Sequence, residues 1–373
     1  MWNLSFHHYL AFGSLRNWVP LAVRHGVDRR YTRRLVEIAA VGAATAPLRA
    51  YERARRSWDS PAADTKPPIF ILGHWRSGTT FLENLLVSDD SFGCVSRFQM
   101  VTPHLLFTCP NLLRRLWMAK APTTRAPDHM FWPPETAEED EWAMAVASRH
   151  SYYHSFFFPR EHDHYLHAYV LFDRGADTAG QWSAAYRKLI DTFARYYAGR
   201  RLILKSPANT ARIPQLLSLF PDAQFIHLVR NPYSVFASQL ATVRIVLDNA
   251  QLQLISEAEI EENVITAYEA VMRRYLEFRH LIPERNLLEV RYENLRSDPV
   301  GTVEAIYRNF DWPQAASARS NLNAYFDAVK GHRPGRTTLS ADQADRVAKR
   351  WGFAFDAWKY SPRDLPRGIE VKR

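Results

Sequence analysis

Four short, largely continuous apolar runs punctuate the chain: Ile69-Phe70-Ile71-Leu72, Arg201 to Leu204, Gln224 to Val229, and Asn286 to Val290. Unbroken runs of this length, bounded by Pro, Gly or charged residues, are the pattern of strands buried on both faces of a parallel sheet. Between them lie stretches with the spacing of helices: Thr79 to Val87, Trp182 to Tyr197, Pro232 to Leu247 and Glu261 to Leu281. Strands alternating with helices predict an α/β fold, a parallel sheet with helices on its faces.

Two segments stand outside this alternation. Residues 1–60 read as a helical extension, followed by a Pro- and Ala-containing linker from Ser60 to Pro68. Within it Leu10, Leu15, Trp18 and Leu21 or Ala22 recur at helical spacing beside basic residues. Such a stripe suits a helix packed on the protein, the favoured reading, or one in peripheral contact with a membrane. The run Ile38 to Leu48 is too short to span a bilayer, and the first residues lack the clean apolar stretch and small-residue site of a secretory signal. The second segment, about 101–180, is rich in aromatics, His and Pro. It reads as an insertion in a domain of residues 61–373, forming an acceptor pocket or lid.

Charge and cysteine content narrow the function classes. Apolar residues make up 47% of the 373 residues, enough for a normal core. The net charge of +9 suits an anionic ligand or surface. No nucleic-acid module accompanies it, so a nucleic-acid partner is not expected. Two cysteines, Cys94 and Cys109, make neither a disulfide framework nor a metal site, and no metal is expected. The expected setting is cytoplasmic, with the inner face of a membrane as the alternative for the N-terminal helices.

The chemistry begins where the first strand meets its helix, in Gly73-His74-Trp75-Arg76-Ser77-Gly78-Thr79-Thr80-Phe81. Backbone N–H groups at such a helix start face an anion, helped by the helix dipole. Gly73 and Gly78 have the spacing of a Walker A loop, but Thr79 stands where that motif has lysine, and the cation, Arg76, lies inside the loop. A small-molecule kinase needs the lysine and Mg²⁺; a sulfuryl group carries less charge and needs fewer cations. Arg-Ser-Gly-Thr-Thr resembles the 5′-phosphosulfate loop of sulfotransferases that use PAPS (3′-phosphoadenosine-5′-phosphosulfate). The resemblance implies donor contacts from Arg76, Ser77, Gly78, Thr79, Thr80 and Phe81.

A second match supports the first. In Val229-Arg230-Asn231-Pro232 the strand ends on Arg230, and Pro232 suits the first position of a helix whose second turn holds Ser238. This resembles the family's 3′-phosphate site, an Arg with a Ser eight positions later. Arg291-Tyr292-Glu293-Asn294-Leu295 resembles a structural stretch of the family, and the basic loop around Lys330 and Arg333 resembles, more loosely, a segment closing over the 3′-phosphate. Together these imply the sulfotransferase fold over about residues 66–340: a P-loop-like parallel sheet of about five strands flanked by helices.

Catalysis needs a base for the acceptor hydroxyl and cations for charge on the transferred group and leaving oxygen. The resemblance assigns the cations to Arg76 and Lys205. The family's histidine has no counterpart here, because Pro207 and Asn209 occupy the two positions where relatives carry it. The acidic run Glu138-Glu139-Asp140-Glu141 resembles an acidic stretch of the family, and other branches use Glu as base. Crowded carboxylates raise one another's pKa, as a base requires, although a carboxylate at a helix start also serves as simple capping. Glu139 is the first candidate and Glu141 the second; His129, His104 and His74 follow. The aromatic middle segment, with Phe107, Trp117, Trp132, Tyr152, Phe156 and Phe158, suits a hydrophobic or lipid-like alcohol as acceptor. Amine or carbohydrate acceptors, a kinase, and an inactive scaffold binding the product PAP stay as alternatives.

Overall fold

The structure, a computed structural model, describes residues 8–56, 66–108, 110–119, 121–122, 124, 132–175, 177–313, 318–329, 337–363, 365–366 and 368–372. By contact the chain forms two compact units. One comprises Met1–Lys66, Cys94–Leu202 and Ile245–Ile255; the other comprises Pro67–Gly93, Ile203–Arg244 and Ser256–Arg373.

The second unit carries the sheet the sequence predicts. Strands β1 (Ile69–Leu72), β2 (Phe92–Gly93), β3 (Arg201–Lys205), β4 (Gln224–Val229) and β5 (Leu287–Arg291) line up in the order β2-β3-β1-β4-β5. β1 pairs in parallel with β3, Ile69 opposite Ile203, and with β4, Leu72 opposite His227; β4 pairs in parallel with β5. All four residues of β1 are fully buried, which is why its run is unbroken. Ile69 and Ile71 join Leu82, Leu85 and Leu86 of the following helix, Thr79–Leu86, in one apolar cluster. Phe70 turns to the opposite face, with ring centroids 5.9 Å from Phe220 and 5.5 Å from Phe225. This two-residue alternation builds a core on each side of the strand.

The strand order places a topological switch at the centre. β3 lies on one side of β1 and β4 on the other, so the connections leaving their carboxyl ends diverge. Open α/β sheets bind ligands at such a point. Strand β2, two residues long, leaves no readable apolar run. The sequence patterns also do not announce the separate parallel pair β6 (Thr337–Ser340) and β7 (Ile369–Lys372).

The first unit holds the N-terminal helices Leu15–His25, Thr32–Ala44 and Ala46–Arg56. Of the apolar stripe, Leu10, Trp18, Leu21 and Ala22 are buried and Leu15 is half-buried. Asn17 Nδ2 donates to the Ala147 carbonyl at 2.7 Å, tying the first helix to the end of the Asp140–Ala147 helix. Arg34 donates to the carbonyls of Gln251 and Asp248 at 2.8 and 2.9 Å. His8 lies within 2.9 Å of the Ala250 carbonyl, and burial draws its pKa down to about 4. Among the described residues no helix is long and apolar enough to cross a membrane. In the middle segment Tyr152, Tyr153, Phe157 and Phe158 are buried core, whereas Phe107, Trp132 and Phe156 are half-buried.

A packed first helix makes a direct prediction. Trp18→Ala should destabilise the protein by about 3–5 kcal/mol, seen as a lower melting temperature by circular dichroism. An unchanged melting temperature would contradict the packing.

Candidate active site

The loop leaving β1 is shaped by close approaches that exclude side chains. Gly73 has φ +136°, and a Cβ there would lie 2.6 Å from the Leu228 carbonyl oxygen of β4. Gly78 has φ +98°, and a Cβ there would overlap the Tyr292 ring. Between them Arg76 takes a left-handed conformation, φ 70°, which non-glycine residues adopt at a cost and which is concentrated at functional sites. The Thr210 hydroxyl accepts from Gly73 N–H at 2.8 Å and lies 3.2 Å from the Gly73 carbonyl, joining the loops after β1 and β3. The Ser77 hydroxyl is buried and donates to the His74 carbonyl, so it braces the turn from inside.

The helix Thr79–Leu86 opens on Gly78 with no side-chain cap, and Leu82 N–H donates to Gly78 O at 3.1 Å. The N–H groups of a helix's first turn lack partners within the helix. Their positive end here carries no carboxylate in the first turn, which suits an anion.

Three of the residues predicted from sequence converge beside this helix start. Arg76 Nε donates to Ser238 Oγ at 2.9 Å, and Arg230 Nη1 donates to the Arg76 carbonyl at 2.7 Å. The Arg230 guanidinium stacks over the Tyr292 ring at 4.3 Å, a cation–π contact that fixes its plane, and burial lowers its pKa from the ordinary value. Asn231 Oδ1 accepts from Tyr233 N–H at 3.0 Å, capping the Pro232–Ala250 helix that presents Ser238. Two guanidinium groups, a hydroxyl and an uncapped helix start suit an anionic ligand.

Lys205 ends β3 and is 1% exposed, with its Nζ 3.6 Å from Glu83 Oε2 in the Thr79–Leu86 helix. Asn209 is buried, and its Oδ1 accepts from Arg212 Nη1 at 3.0 Å. His74 is buried against Tyr268, ring centroids 4.7 Å apart, and burial draws its pKa down to about 3. A histidine held neutral that firmly is a poor proton acceptor.

In the first unit every member of the acidic run has its own donor. Trp132 Nε1 donates to Glu138 at 2.7 Å, and Tyr186 OH donates to Asp140 at 2.6 Å. Glu141 is fully buried and accepts from Ser151 Oγ at 2.7 Å and Tyr152 N–H at 2.9 Å, a contact that shapes the following turn. Glu139 accepts from Tyr153 OH and is the one member of the run that is half-buried rather than buried. Lys330, Arg333 and His129 lie outside the described residues. Sequence reasoning gave no role to Thr210, Glu83 or Tyr292. Thr210 directly follows Asn209, and Tyr292 lies inside the Arg291-Tyr292-Glu293-Asn294-Leu295 stretch, so nearness to a motif is the signal that would have flagged these two.

Comparisons with known proteins place the chain in a family. Residues 67–316 match the model of the sulfotransferase family. The chain is 29% identical over 316 residues to the omega-hydroxy-beta-dihydromenaquinone-9 sulfotransferase Stf3 of Mycobacterium bovis, covering 82% of this chain and 78% of the relative. The same protein of Mycobacterium tuberculosis matches equally. Among solved structures, sulfotransferase STF9 of Mycobacterium avium has a TM-score of 0.65 at 20% identity, covering 84% of this chain and 82% of the other. Sulfotransferase STF1 of Mycobacterium tuberculosis has a TM-score of 0.64 at 21% identity, covering 86% and 85%. The two solved structures share the fold, and the family match spans all five strands of the central sheet. The chain belongs to the sulfotransferase family and is itself a sulfotransferase.

Proposed function

We propose that the protein transfers the sulfuryl group of PAPS to the hydroxyl of a hydrophobic, lipid-like acceptor. The observation that carries this reading is the meeting of Arg76, Arg230 and Ser238 beside an uncapped helix start at the switch point of the sheet. PAPS, when bound, supplies the sulfuryl group and departs as PAP. Arg230 and Ser238 hold the 3′-phosphate, and Arg76 with the N–H groups from Gly78 to Phe81 holds the phosphosulfate. Ser77 acts by bracing the loop. Lys205 offsets charge on the leaving phosphate oxygen. Glu139 takes the proton of the acceptor hydroxyl as the new S–O bond forms and the old one breaks.

Glu139 is preferred to Glu141 because Glu141 is sealed by Ser151 and Tyr152, whereas Glu139, which accepts from Tyr153, is partly open. The acceptor class is supported by the aromatic content of the middle segment and by the menaquinone-derived substrate in the name of the Stf3 relative. A hydroxylated menaquinone is therefore the first acceptor to try.

Calorimetry without metal tests the donor reading. Wild type should bind PAP more tightly than ADP, which lacks the 3′-phosphate. Arg230→Ala should weaken PAP binding by about 100-fold, the loss expected for charged hydrogen bonds, and leave ADP binding unchanged. Equal affinity for PAP and ADP, or ATP binding that requires Mg²⁺, would sink the reading. A separate assay addresses the base. Glu139→Gln should lower kcat for transfer from ³⁵S-labelled PAPS to an ω-hydroxylated menaquinone by about 10²–10⁴-fold, with PAP affinity unchanged. Wild-type kcat in that variant would remove Glu139 from the mechanism.

A further inference from the structure

Beyond Thr79 at its start, the Thr79–Leu86 helix buries Leu82, Glu83, Leu85 and Leu86, and Glu83 is its only charged residue. Three of these four side chains enter the apolar cluster that supports β1. The fourth meets Lys205: the two side chains are 0% and 1% exposed, with Nζ and Oε2 3.6 Å apart. Removing either charge from water is expensive, and an apolar pair of similar volume is often as stable or more so. A buried ion pair in an otherwise apolar stripe therefore asks for a reason other than stability.

Its location supplies one. Lys205 is the last residue of β3, next to β1, so its ammonium lies at the carboxyl end of the sheet. Glu83 stands one turn inside the helix whose start follows the Gly73–Gly78 loop. The 3.6 Å separation exceeds the roughly 2.7–2.9 Å of a charge-assisted hydrogen bond. The carboxylate thus favours the charged ammonium through a charge contact rather than a tight hydrogen bond.

We propose that Glu83 is a positioning residue for Lys205, holding its ammonium charged and aligned with the helix that opens the donor loop. The inference rests on the role given above to Lys205. It deepens that role, because the lysine's charge is fixed by the helix that also presents the N–H groups of the donor loop.

The test uses the full chain with PAPS, following release of PAP, alongside melting temperature and PAP calorimetry. Glu83→Gln should lower kcat at least about 10-fold, as expected when a catalytic cation loses its alignment, with KM for PAPS and affinity for PAP within a few-fold of wild type. Glu83→Asp, which keeps the charge but draws it back, should fall between the two. The double variant Glu83→Gln/Lys205→Met should be no slower than Lys205→Met, because the two residues act as one unit. The Lys205 ammonium resonance of ¹⁵N-lysine-labelled, ligand-free protein, assigned by its loss in Lys205→Met, should shift in Glu83→Gln and return toward its wild-type position in Glu83→Asp. If Glu83→Gln does not fold, Glu83→Asp decides: a several-fold lower kcat at unchanged PAP affinity supports the inference, and an unchanged kcat overturns it. Loss of turnover in Lys205→Met with wild-type kcat and an unshifted resonance in Glu83→Gln overturns the role of Glu83 alone. Wild-type turnover in Lys205→Met removes the role of Lys205, and the inference with it.

Discussion

The close approach of the Gly73–Gly78 loop to its neighbours is the constraint on which the site depends. A backbone carbonyl of β4 crowds one glycine and the Tyr292 ring crowds the other. No side chain fits at either position, and both backbones take angles that L-residues rarely adopt. This packing brings the loop against the carboxyl end of β4, where Arg230 begins the next connection. The same Tyr292 that limits Gly78 also stacks on Arg230. One aromatic ring thus sets both the backbone path of the donor loop and the plane of the second guanidinium.

Charge is then managed by pairing and burial together. Arg76 and Arg230 are held by hydrogen bonds to Ser238 and to a backbone carbonyl, both neutral acceptors, so these contacts leave their positive charge in place for an anion. Lys205 has a carboxylate 3.6 Å away. Its ammonium is more deeply buried than either guanidinium. Burial disfavours a charged lysine far more readily than a charged arginine, whose pKa lies higher. A close counter-ion for the lysine follows from that difference.

The first unit shows the same economy of contacts around its acidic run. Four consecutive carboxylates, Glu138 to Glu141, each meet a donor from a different residue: an indole, two phenols and a serine hydroxyl. The pattern follows from their place at a helix start, where successive side chains point in different directions about the axis. The Asp140–Ala147 helix is in turn fastened at its far end by Asn17. The N-terminal helix is therefore tied to the helix that follows Glu139.

By itself the sequence determined the alternation of buried strands and helices, the loop with its two glycines and internal arginine, and the Arg230–Ser238 spacing. Those features are local: unbroken apolar runs, positive-φ glycines and an eight-residue step within one strand–turn–helix unit are written in neighbouring residues. The two-residue strand β2 and the β6–β7 pair escaped because strands so short, or so exposed, leave no periodic signal. Tertiary structure alone decided what distant residues do to one another. It joined Thr210 to Gly73, set Glu83 against Lys205, and closed Glu141 in behind Ser151 while leaving Glu139 partly open. It also buried the Leu10–Ala22 stripe that sequence left between two readings. An amphipathic pattern states that a helix face is covered; only the packing of other segments against it states by what.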